Sequence, residues 1–458
     1  MSVIPDPSDE FPYEIRSFPV RRLSGGSAGR RSGGPDFEPA GAHGGADAAT
    51  KKWVQAVLLG FHTGVVDDAT IDKFLASEER DGRILWGAYA TAAPEGAWDP
   101  EYPVATYATH RKTLNVGGGK LLPAHLITAV TVRGTHRRRG LLRRMISADL
   151  ARAKTDGMAI AALTASEATI YGRFGFGPAA HHRSIELDTG PKFALHGADS
   201  GMTGVVEIAD PVVLLDLEPA LFDRLHAGSF GSVGRQDAYR YLASGAWTYE
   251  QPDLDKAVRA AVHYGSDGKP DGYVSYKFTG WETPATVEVR DLLACTDEAY
   301  LALWRYLGSI DLVQRVSWKR APLQDPLEWA LADKRGYRVN SVEDSLWLRI
   351  LDTPAALEGR HYWQDGSITL RVEDPLGFAG GVFRLDVRGG RGTTTALDDG
   401  GQADLALGAA ELASLYLAGV PAGTLVAAGT VQEGSAGGAA RFDALFAAPM
   451  LPHSRTDF

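Results

Sequence analysis

The chain carries a β-branched run, a basic loop and a helix start in unbroken succession: Ile127-Thr128-Ala129-Val130-Thr131-Val132, Arg133-Gly134-Thr135-His136-Arg137-Arg138-Arg139-Gly140 and Leu141-Leu142-Arg143. The first segment is typical of a strand, because β-branched side chains favour extended backbone. The apolar spacing that continues to Thr155 is that of an amphipathic helix. The sequence therefore predicts a strand, a short glycine-containing loop and a helix that begins at the end of the loop.

The N-terminus of this helix is predicted to bind phosphate. The first backbone N–H groups of a helix have no partner within it, and with the helix dipole they favour an anion. The neighbouring arginines add charge and bidentate geometry for further phosphate groups. A purely structural role, in which the basic helix start contacts only solvent or a nearby acid, is disfavoured because arginine opposes the dipole there. The stretch has neither the GxxxxGK[ST] loop of P-loop proteins nor the GxGxxG turn of dinucleotide-binding folds.

Composition and charge narrow the class of protein. The chain has 458 residues, 44% hydrophobic and 23% charged, and at ~150 residues per domain it has room for about three domains. Its formal net charge of -10 argues against nucleic-acid binding, which depends on cationic contacts to phosphate. No apolar run approaches the ~18 residues that a membrane span needs, and the N-terminus has no apolar signal segment. We expect no nucleic acid, no membrane and a cytoplasmic location, with secretion left open.

The residue patterns do not support metal, thiol or hydrolase chemistry. Cys295 is the single cysteine, so neither an intramolecular disulfide nor a multi-cysteine metal site is possible. The histidines, among them His136 beside the arginines, lack the spacing of metal ligands. Ser166 has Glu167 next to it but lies in no GxSxG elbow. The sequence predicts no metal site.

Strand and helix patterns divide the chain into three units, at residues 1–195, 196–351 and 352–458. The first mixes strands and helices around the strand–loop–helix segment, and the second repeats a loosely similar order of elements. Within the first unit, residues 23–50 are dominated by Gly, Ala and Ser and are predicted to be a flexible insertion. In the third unit, strands give way to helices. The predicted fold class is α/β (α+β).

Several strings resemble the Eis (enhanced intracellular survival) family of GNAT N-acetyltransferases. Arg137-x-x-Gly140 after a β-branched strand is similar to the acetyl-CoA motif Q/R-x-x-G-x-G/A, with Leu142 in place of the last Gly or Ala. Members of this family share that departure. Further similar strings cover residues 135–143, 165–179, 346–357, 414–417 and 456–458, and the likeness extends over about residues 50–458.

The resemblance implies two GNAT-like domains followed by a sterol-carrier-protein-like domain. Residues 196–351 contain no second RxxGxG-like loop, so the second domain is expected to lack a cofactor site. Acetyl-CoA is the implied co-substrate, with its pantetheine against the strand end and its phosphates on the arginine loop. The residues implied to contact it are Val130, Thr131, Val132, Arg138, Arg139, Gly140, Leu141, Leu142, Arg143, Ser166 and Glu167.

The resemblance also implies two catalytic groups. Tyr171 matches the general acid of the family, and a phenol with a pKa near ~10 can protonate a leaving thiolate. The main-chain carboxylate of Phe458 matches the general base, although an α-carboxylate with a pKa near ~3.5 is weak and would need water or desolvation to assist it. From the residues alone, a half-buried aromatic before a tight turn is the alternative for Tyr171, and a terminal residue such as Phe458 is ordinarily frayed.

The implied acceptors are amines of polycations, either small molecules such as aminoglycosides and polyamines or lysine side chains of peptides. Thr63 stands about where aminoglycoside-acetylating members have an acidic residue, and Asp457 replaces a Glu, so a narrower or shifted preference is open. Family members assemble as hexamers, which implies a homo-hexamer. Two alternatives stay open: a protein-lysine acetyltransferase with a shallow acceptor cleft, and a non-catalytic lipid-binding module.

Overall fold

The computed structural model describes most of the chain, and it corrects one sequence prediction. The described residues are 2–3, 12–20, 45–196, 204–248, 253–398 and 400–458. Residues 23–44 of the predicted flexible insertion lie outside them, but residues 45–50 lie inside and are ordered. Ala46 is buried, and a helix begins at Ala48 because the Asp47 carboxylate accepts a hydrogen bond from the Thr50 N–H at 2.8 Å.

The described residues of the first unit form seven strands and four helices. The strands are β1 (Ser2–Val3), β2 (Tyr13–Pro19), β3 (Ile84–Ala90), β4 (Ala105–Asn115), β5 (Leu121–Val132), β6 (Ile160–Leu163) and β7 (Gly177–Asp188). The helices are α1 (Ala48–Gly60), α2 (Asp68–Arg80), α3 (Leu141–Thr155) and α4 (Ala168–Tyr171). The predicted helix over 141–155 is therefore confirmed, and its buried face packs on the sheet through Met145, Ile146 and Leu150.

The second and third units alternate strands and helices in the same way. The second contains β8 (Val205–Ala209), α5 (Leu214–Gly228), α6 (Ala238–Ser244), β9 (Val258–Tyr264), β10 (Pro270–Gly280), β11 (Thr286–Ala294), α7 (Asp297–Gly308), β12 (Arg315–Ala321), α8 (Pro326–Ala330) and β13 (Tyr337–Ile350). The third contains α9 (Thr353–Gly359), β14 (Gly366–Glu373), β15 (Gly381–Arg388), β16 (Arg391–Leu397), β17 (Leu405–Gly408), α10 (Ala409–Tyr416), α11 (Ala422–Ala427), β18 (Val431–Glu433) and α12 (Gly438–Phe446). The sequence patterns missed short elements such as β8, α6 and β18.

The strands of the first two units form one continuous sheet. Its 13 strands run in the order β1-β2-β3-β4-β5-β6-β13-β7-β12-β11-β10-β9-β8, and the third unit has its own sheet of five strands, β16-β15-β14-β17-β18. Strand β13 ends the second unit but lies between the last two strands of the first. It pairs antiparallel with β6 at Trp347↔Leu163 and with β7 at Leu348↔Gly177. A division of the chain near residue 195 is therefore not a division of the sheet.

The third unit packs directly on the shared sheet. Gly177 at the start of β7 has no room for a side chain, because a Cβ there would lie 2.0 Å from the carbonyl oxygen of Ala410 in α10. One apolar cluster contains buried residues of all three units, including Leu126, Val233 and Leu412. After α12 the chain returns to the first unit, where Phe458 contacts Thr164. Among the described residues, no helix has the length and apolar character to cross a membrane.

Candidate active site

An opening between β5 and β6 forms the base of the candidate site. These strands pair in parallel from Ala124↔Ile160 to Ile127↔Leu163. Strand β6 ends at Leu163, whereas β5 continues for five residues to Val132. The backbone edge of that extension therefore points into the gap between the strands and can pair with a ligand's amides.

A β-bulge directs the end of β5. Ala129 has a positive φ of 52°, and Ala129 and Val130 together lie opposite the single β4 residue Tyr107. The Thr106 hydroxyl fixes this distortion by donating a hydrogen bond to the Ala129 carbonyl at 2.9 Å. A bulge bends its strand and increases the local twist, so the last residues of β5 turn away from the direction of β6.

The loop after β5 leaves the N-terminus of α3 open. Gly140 is the N-cap in the left-handed conformation, at φ 75°, which glycine adopts without steric cost. The first turn of the 15-residue helix reads Leu141-Leu142-Arg143-Arg144. Glycine has no side chain to accept from the first N–H groups, which together with the helix dipole form an anion-binding site.

The arginines of the loop surround this helix end. Arg137, Arg138, Arg139 and Arg143 are all exposed. The Arg139 guanidinium donates to the Tyr13 hydroxyl of β2 at 2.8 Å, which ties the loop to the edge of the sheet. The arginines concentrate positive charge at one point of an acidic chain, as the phosphates of a coenzyme require.

The predicted coenzyme residues line one cleft of about 610 Å³. Its lining includes the strand end, the arginine loop and the turn before α4. The sequence-predicted residues on it are Val130, Thr131, Val132, Arg138, Arg139, Gly140, Leu141, Leu142, Arg143, Ser166, Glu167 and Tyr171. Phe61, from the loop between α1 and α2, also lines the cleft and is half exposed.

Tyr171 is the buried phenol of this cleft. It ends α4, only 5% of its surface is exposed, and its ring packs edge-on against Phe176 with centroids 6.3 Å apart. Burial raises the pKa of the Tyr171 hydroxyl above its usual 10, and the negative charge of Glu167 adds to this. The hydroxyl therefore stays protonated at neutral pH and has a proton to donate.

The Phe458 carboxylate lies at the end of β6. Thr164, the residue after β6, donates its hydroxyl proton to a carboxylate oxygen of Phe458 at 2.5 Å and accepts from the Phe458 N–H at 3.2 Å. Thr164 precedes Ser166 of the cleft by two residues. Helix α12 ends at Phe446, so residues 447–458, rather than the helix itself, bring the terminus to the first unit.

The second unit holds the last residues of this tail. The Thr456 hydroxyl donates to the Val233 carbonyl at 2.8 Å, and the Asp457 N–H donates to the Tyr239 hydroxyl at 2.6 Å. The Arg320 guanidinium donates to the Asp457 carboxylate at 2.8 Å. The terminus is therefore fixed in place, contrary to the ordinary expectation for a chain end.

Comparisons with known proteins agree with this architecture. The Acetyltransferase (GNAT) domain matches twice, at residues 78–179 and 231–350, and the Sterol carrier protein domain matches residues 353–454. An uncharacterized N-acetyltransferase of Streptomyces griseus is 37% identical over 86% of this chain and 94% of its own length. N-acetyltransferase Eis of Mycobacterium tuberculosis is 34% identical over 75% of this chain and 83% of its own.

The chain belongs to the Eis family of N-acetyltransferases. The solved Eis1 structure of Mycobacterium abscessus aligns with a TM-score of 0.73 at 26% identity, over 90% of this chain and 98% of that one. A GCN5-related N-acetyltransferase of Anabaena variabilis, 19% identical, shares the fold with a TM-score of 0.72. The predicted family, fold class and N-acetyltransferase activity are confirmed, and the Eis-family chain is an enzyme rather than a non-catalytic module.

Three residues of this Eis-family site were missed by sequence reasoning: Thr164, Tyr239 and Arg320. Thr164 stands next to the string 165–179 that resembles the family, but its contact with Phe458 spans 294 residues of sequence. Tyr239 and Arg320 lie in the second unit, where no local motif marks them. Among the described residues, no three His, Cys, Asp or Glu side chains are grouped to hold a metal ion.

Proposed function

We propose that this Eis-family enzyme transfers the acetyl group of acetyl-CoA directly to an acceptor amine, with Tyr171 as general acid and the Phe458 carboxylate as general base. The observation that supports this most strongly is the contact of the chain end with the segment that leads from β6 into the cleft. Tyr171 lines the cleft beside the arginine loop, and Phe458 is bonded to Thr164 on the segment that leads into the same cleft.

The cleft has the chemistry that a coenzyme A thioester needs. The edge of β5 beyond Ile127 would hold the pantetheine amides, because its N–H and C=O groups face the gap between strands. The α3 N-terminus with Arg138 and Arg143 would hold the phosphates. GNAT acetyltransferases use acetyl-CoA, which supplies an acetyl group activated as a thioester.

The two catalytic groups would move one proton each. The Phe458 carboxylate accepts a proton from the acceptor nitrogen as the new C–N bond forms. Tyr171 donates its phenol proton to the sulfur as the C–S bond breaks, which yields the free thiol. Its raised pKa keeps this proton in place until the sulfur becomes basic enough to take it.

The proposed acceptors are amines of polycations, namely aminoglycosides, polyamines or lysine side chains. The net charge of -10 favours the approach of a cation. A protein lysine is the second candidate within this class, since half-exposed Phe61 places an apolar side chain at the cleft for a peptide to contact. The predicted homo-hexamer stays a proposal that sedimentation would test.

The proposed function is tested by measuring release of free CoA thiol with an aminoglycoside, a polyamine, a lysine peptide and no acceptor. We expect acetyl-CoA consumption that depends on an amine. Mass spectrometry of the product should show acetyl groups added on nitrogen.

The base is tested separately, with a semisynthetic chain that ends in a Phe458 carboxamide. We expect its turnover to fall by about a hundredfold or more, the usual effect of losing an acid or base. Undiminished turnover would remove Phe458 from the mechanism, and silence with every amine would contradict the acceptor class.

A further inference from the structure

We propose that Thr164 is the positioning residue of the general base, and that the second GNAT-like unit holds the tail that delivers this base. The inference rests on the proposed role of the Phe458 carboxylate. It gives a role to the Thr164 hydroxyl, which lies outside the family motif. It also gives a role to the second GNAT-like unit, which has no arginine loop.

One hydroxyl group fixes both ends of the terminal residue. A threonine hydroxyl has one donor proton and two acceptor lone pairs. Thr164 uses the proton for a carboxylate oxygen of Phe458, at 2.5 Å, and a lone pair for the Phe458 N–H, at 3.2 Å. A hydrogen bond to a charged acceptor is roughly twice as strong as a neutral one, and two bonds to one residue restrict its rotation.

Thr164 connects the carboxylate to a rigid part of the cleft. It directly follows β6, which pairs with β5 on one side and with β13 on the other. The strand is fully buried. The carboxylate is thus positioned relative to the opening between β5 and β6, where the coenzyme residues lie. A loop residue without this support would not provide the same precision.

The second unit restrains the tail before the carboxylate. Arg320 binds the Asp457 carboxylate, and Tyr239 bonds to both the N–H and the carbonyl oxygen of Asp457, at 2.6 and 3.2 Å. The Phe458 ring lies edge-on to buried His110 of β4, with centroids 6.1 Å apart. The terminal residue is therefore held on three sides, and Thr164 is the contact that reaches the reacting group.

The side chain of Asp457 has a consequence of its own. Its carboxylate is occupied by Arg320, so its negative charge is neutralised by a protein side chain. Asp457 therefore serves to anchor the tail rather than to attract a cationic acceptor.

The experiment compares Thr164→Val, which removes the hydroxyl at nearly constant shape, with Thr164→Ser, which keeps it. We expect Thr164→Val to lower kcat by about tenfold, the loss that one bond to a charged group implies, and to leave the KM for acetyl-CoA unchanged. Thr164→Ser should recover most of that loss. Thr189→Val is the matched control, because Thr189 is buried and donates to the Val313 carbonyl at 3.2 Å, and it should retain kcat.

The Phe458 carboxamide separates this inference from the proposed function. In the carboxamide chain, Thr164→Val should cause no further loss of kcat, because the base that it positions is gone. Wild-type kcat in Thr164→Val, or equal losses in the Val and Ser variants, would overturn the positioning role alone. A fully active carboxamide would overturn the base, and the positioning role with it. If Thr164→Val does not fold, Thr164→Ser serves as the test instead. A loss of kcat in Thr164→Ser as large as the loss in the Phe458 carboxamide would contradict the positioning role, because serine keeps the hydroxyl.

Discussion

The two GNAT-like halves repeat one topology but present opposite chemistry at the corresponding helix. In the first half, α3 connects the parallel strands β5 and β6, and in the second half α7 connects the parallel strands β11 and β12. Helix α3 begins after left-handed Gly140 with two arginines in its first turn. Helix α7 begins after Thr296, whose hydroxyl accepts from the Ala299 N–H at 3.1 Å, and its first turn contains Asp297 and Glu298.

The difference explains why one half is expected to bind a coenzyme and the other is not. The α7 N-terminus already has its own hydroxyl and two carboxylates, which satisfy the helix dipole and repel phosphate. The α3 N-terminus lacks these groups and has arginines instead. A GNAT fold therefore provides the opening between strands, whereas a few residues at the helix start determine whether a phosphate can bind.

The largest expected effect is at Tyr171, which belongs to the first half alone. Tyr171→Phe removes the proposed proton donor and should lower kcat by about a hundredfold or more. Tyr306→Phe is the control in the second half, where the hydroxyl bonds only to that of Tyr276 at 2.6 Å among the described contacts. Because burial raises the pKa of Tyr171 above 10, wild-type kcat should not decline until the pH exceeds that value. Equal kcat in Tyr171→Phe and wild type would contradict the assignment.

A smaller effect is expected at the glycine before α3. Gly140→Ala adds a Cβ to a residue with a φ of 75°. The control is Gly268→Ala in the β9–β10 turn, where φ is 73°. Neither added Cβ would lie within 4 Å of another atom. Both should cost about 1 kcal/mol of stability. Only Gly140→Ala should raise the KM for acetyl-CoA, by about tenfold if the loop loses one good phosphate contact. An equal rise in both variants would mean that the effect is one of stability.

Acid should destabilise the protein through buried His110. Burial, together with nearby Arg83, Lys112 and His125, lowers the pKa of His110 well below 6.5. Below pH 6.5 the unfolded chain therefore binds a proton that the folded chain does not. The free energy of unfolding then decreases as the pH falls, by up to about 1.4 kcal/mol per pH unit for this group.

Thermal unfolding of His110→Phe tests this expectation between pH 7.5 and pH 5.5. Neither ring nitrogen of His110 has a hydrogen-bond partner among the described residues, so the variant loses no bond. His263 in the second half differs, because its Nδ1 lies 2.5 Å from the Asp271 carboxylate. His110→Phe should be less sensitive to acid than wild type, and identical sensitivity would exclude His110 as the cause.

The smallest effect is expected from the cap of the second half. Thr296→Ala removes the hydroxyl that accepts from Ala299 and should lower the free energy of unfolding by about 1 kcal/mol. Neither kcat nor the KM for acetyl-CoA should change, because α7 takes no part in the proposed chemistry. A rise in that KM would indicate that the coenzyme also depends on the second half.

Local elements of this protein could be predicted from sequence, whereas its long-range contacts could not. Helix α3 and strand β5 follow from side-chain spacing and β-branching, which act over a few residues. The Ala129 bulge and the position of β13 do not follow from such local patterns. The residues from Leu346 to Ile350 are all buried, and apart from Arg349 they are apolar. A buried run of this kind does not specify which neighbours it pairs with.

The residues of the candidate site divide in the same way, into those that a local pattern predicts and those that depend on long-range contacts. The arginine loop and Tyr171 lie within 45 residues of sequence, from 130 to 174. The residue types in this segment are enough to predict their chemistry. The role of Phe458 was suggested only by family resemblance. Its partners Thr164, Tyr239 and Arg320 depend on how three units pack, and no periodicity or motif encodes such packing.

The position of β13 also determines when the sheet of the first half can be completed during synthesis. Strands β6 and β7 emerge from the ribosome early, but their neighbour β13 ends only at Ile350. Until then β6 and β7 lack the strand that lies between them in the finished sheet. A first half made without residues 337–350 therefore leaves the facing backbone edges of β6 and β7 unpaired.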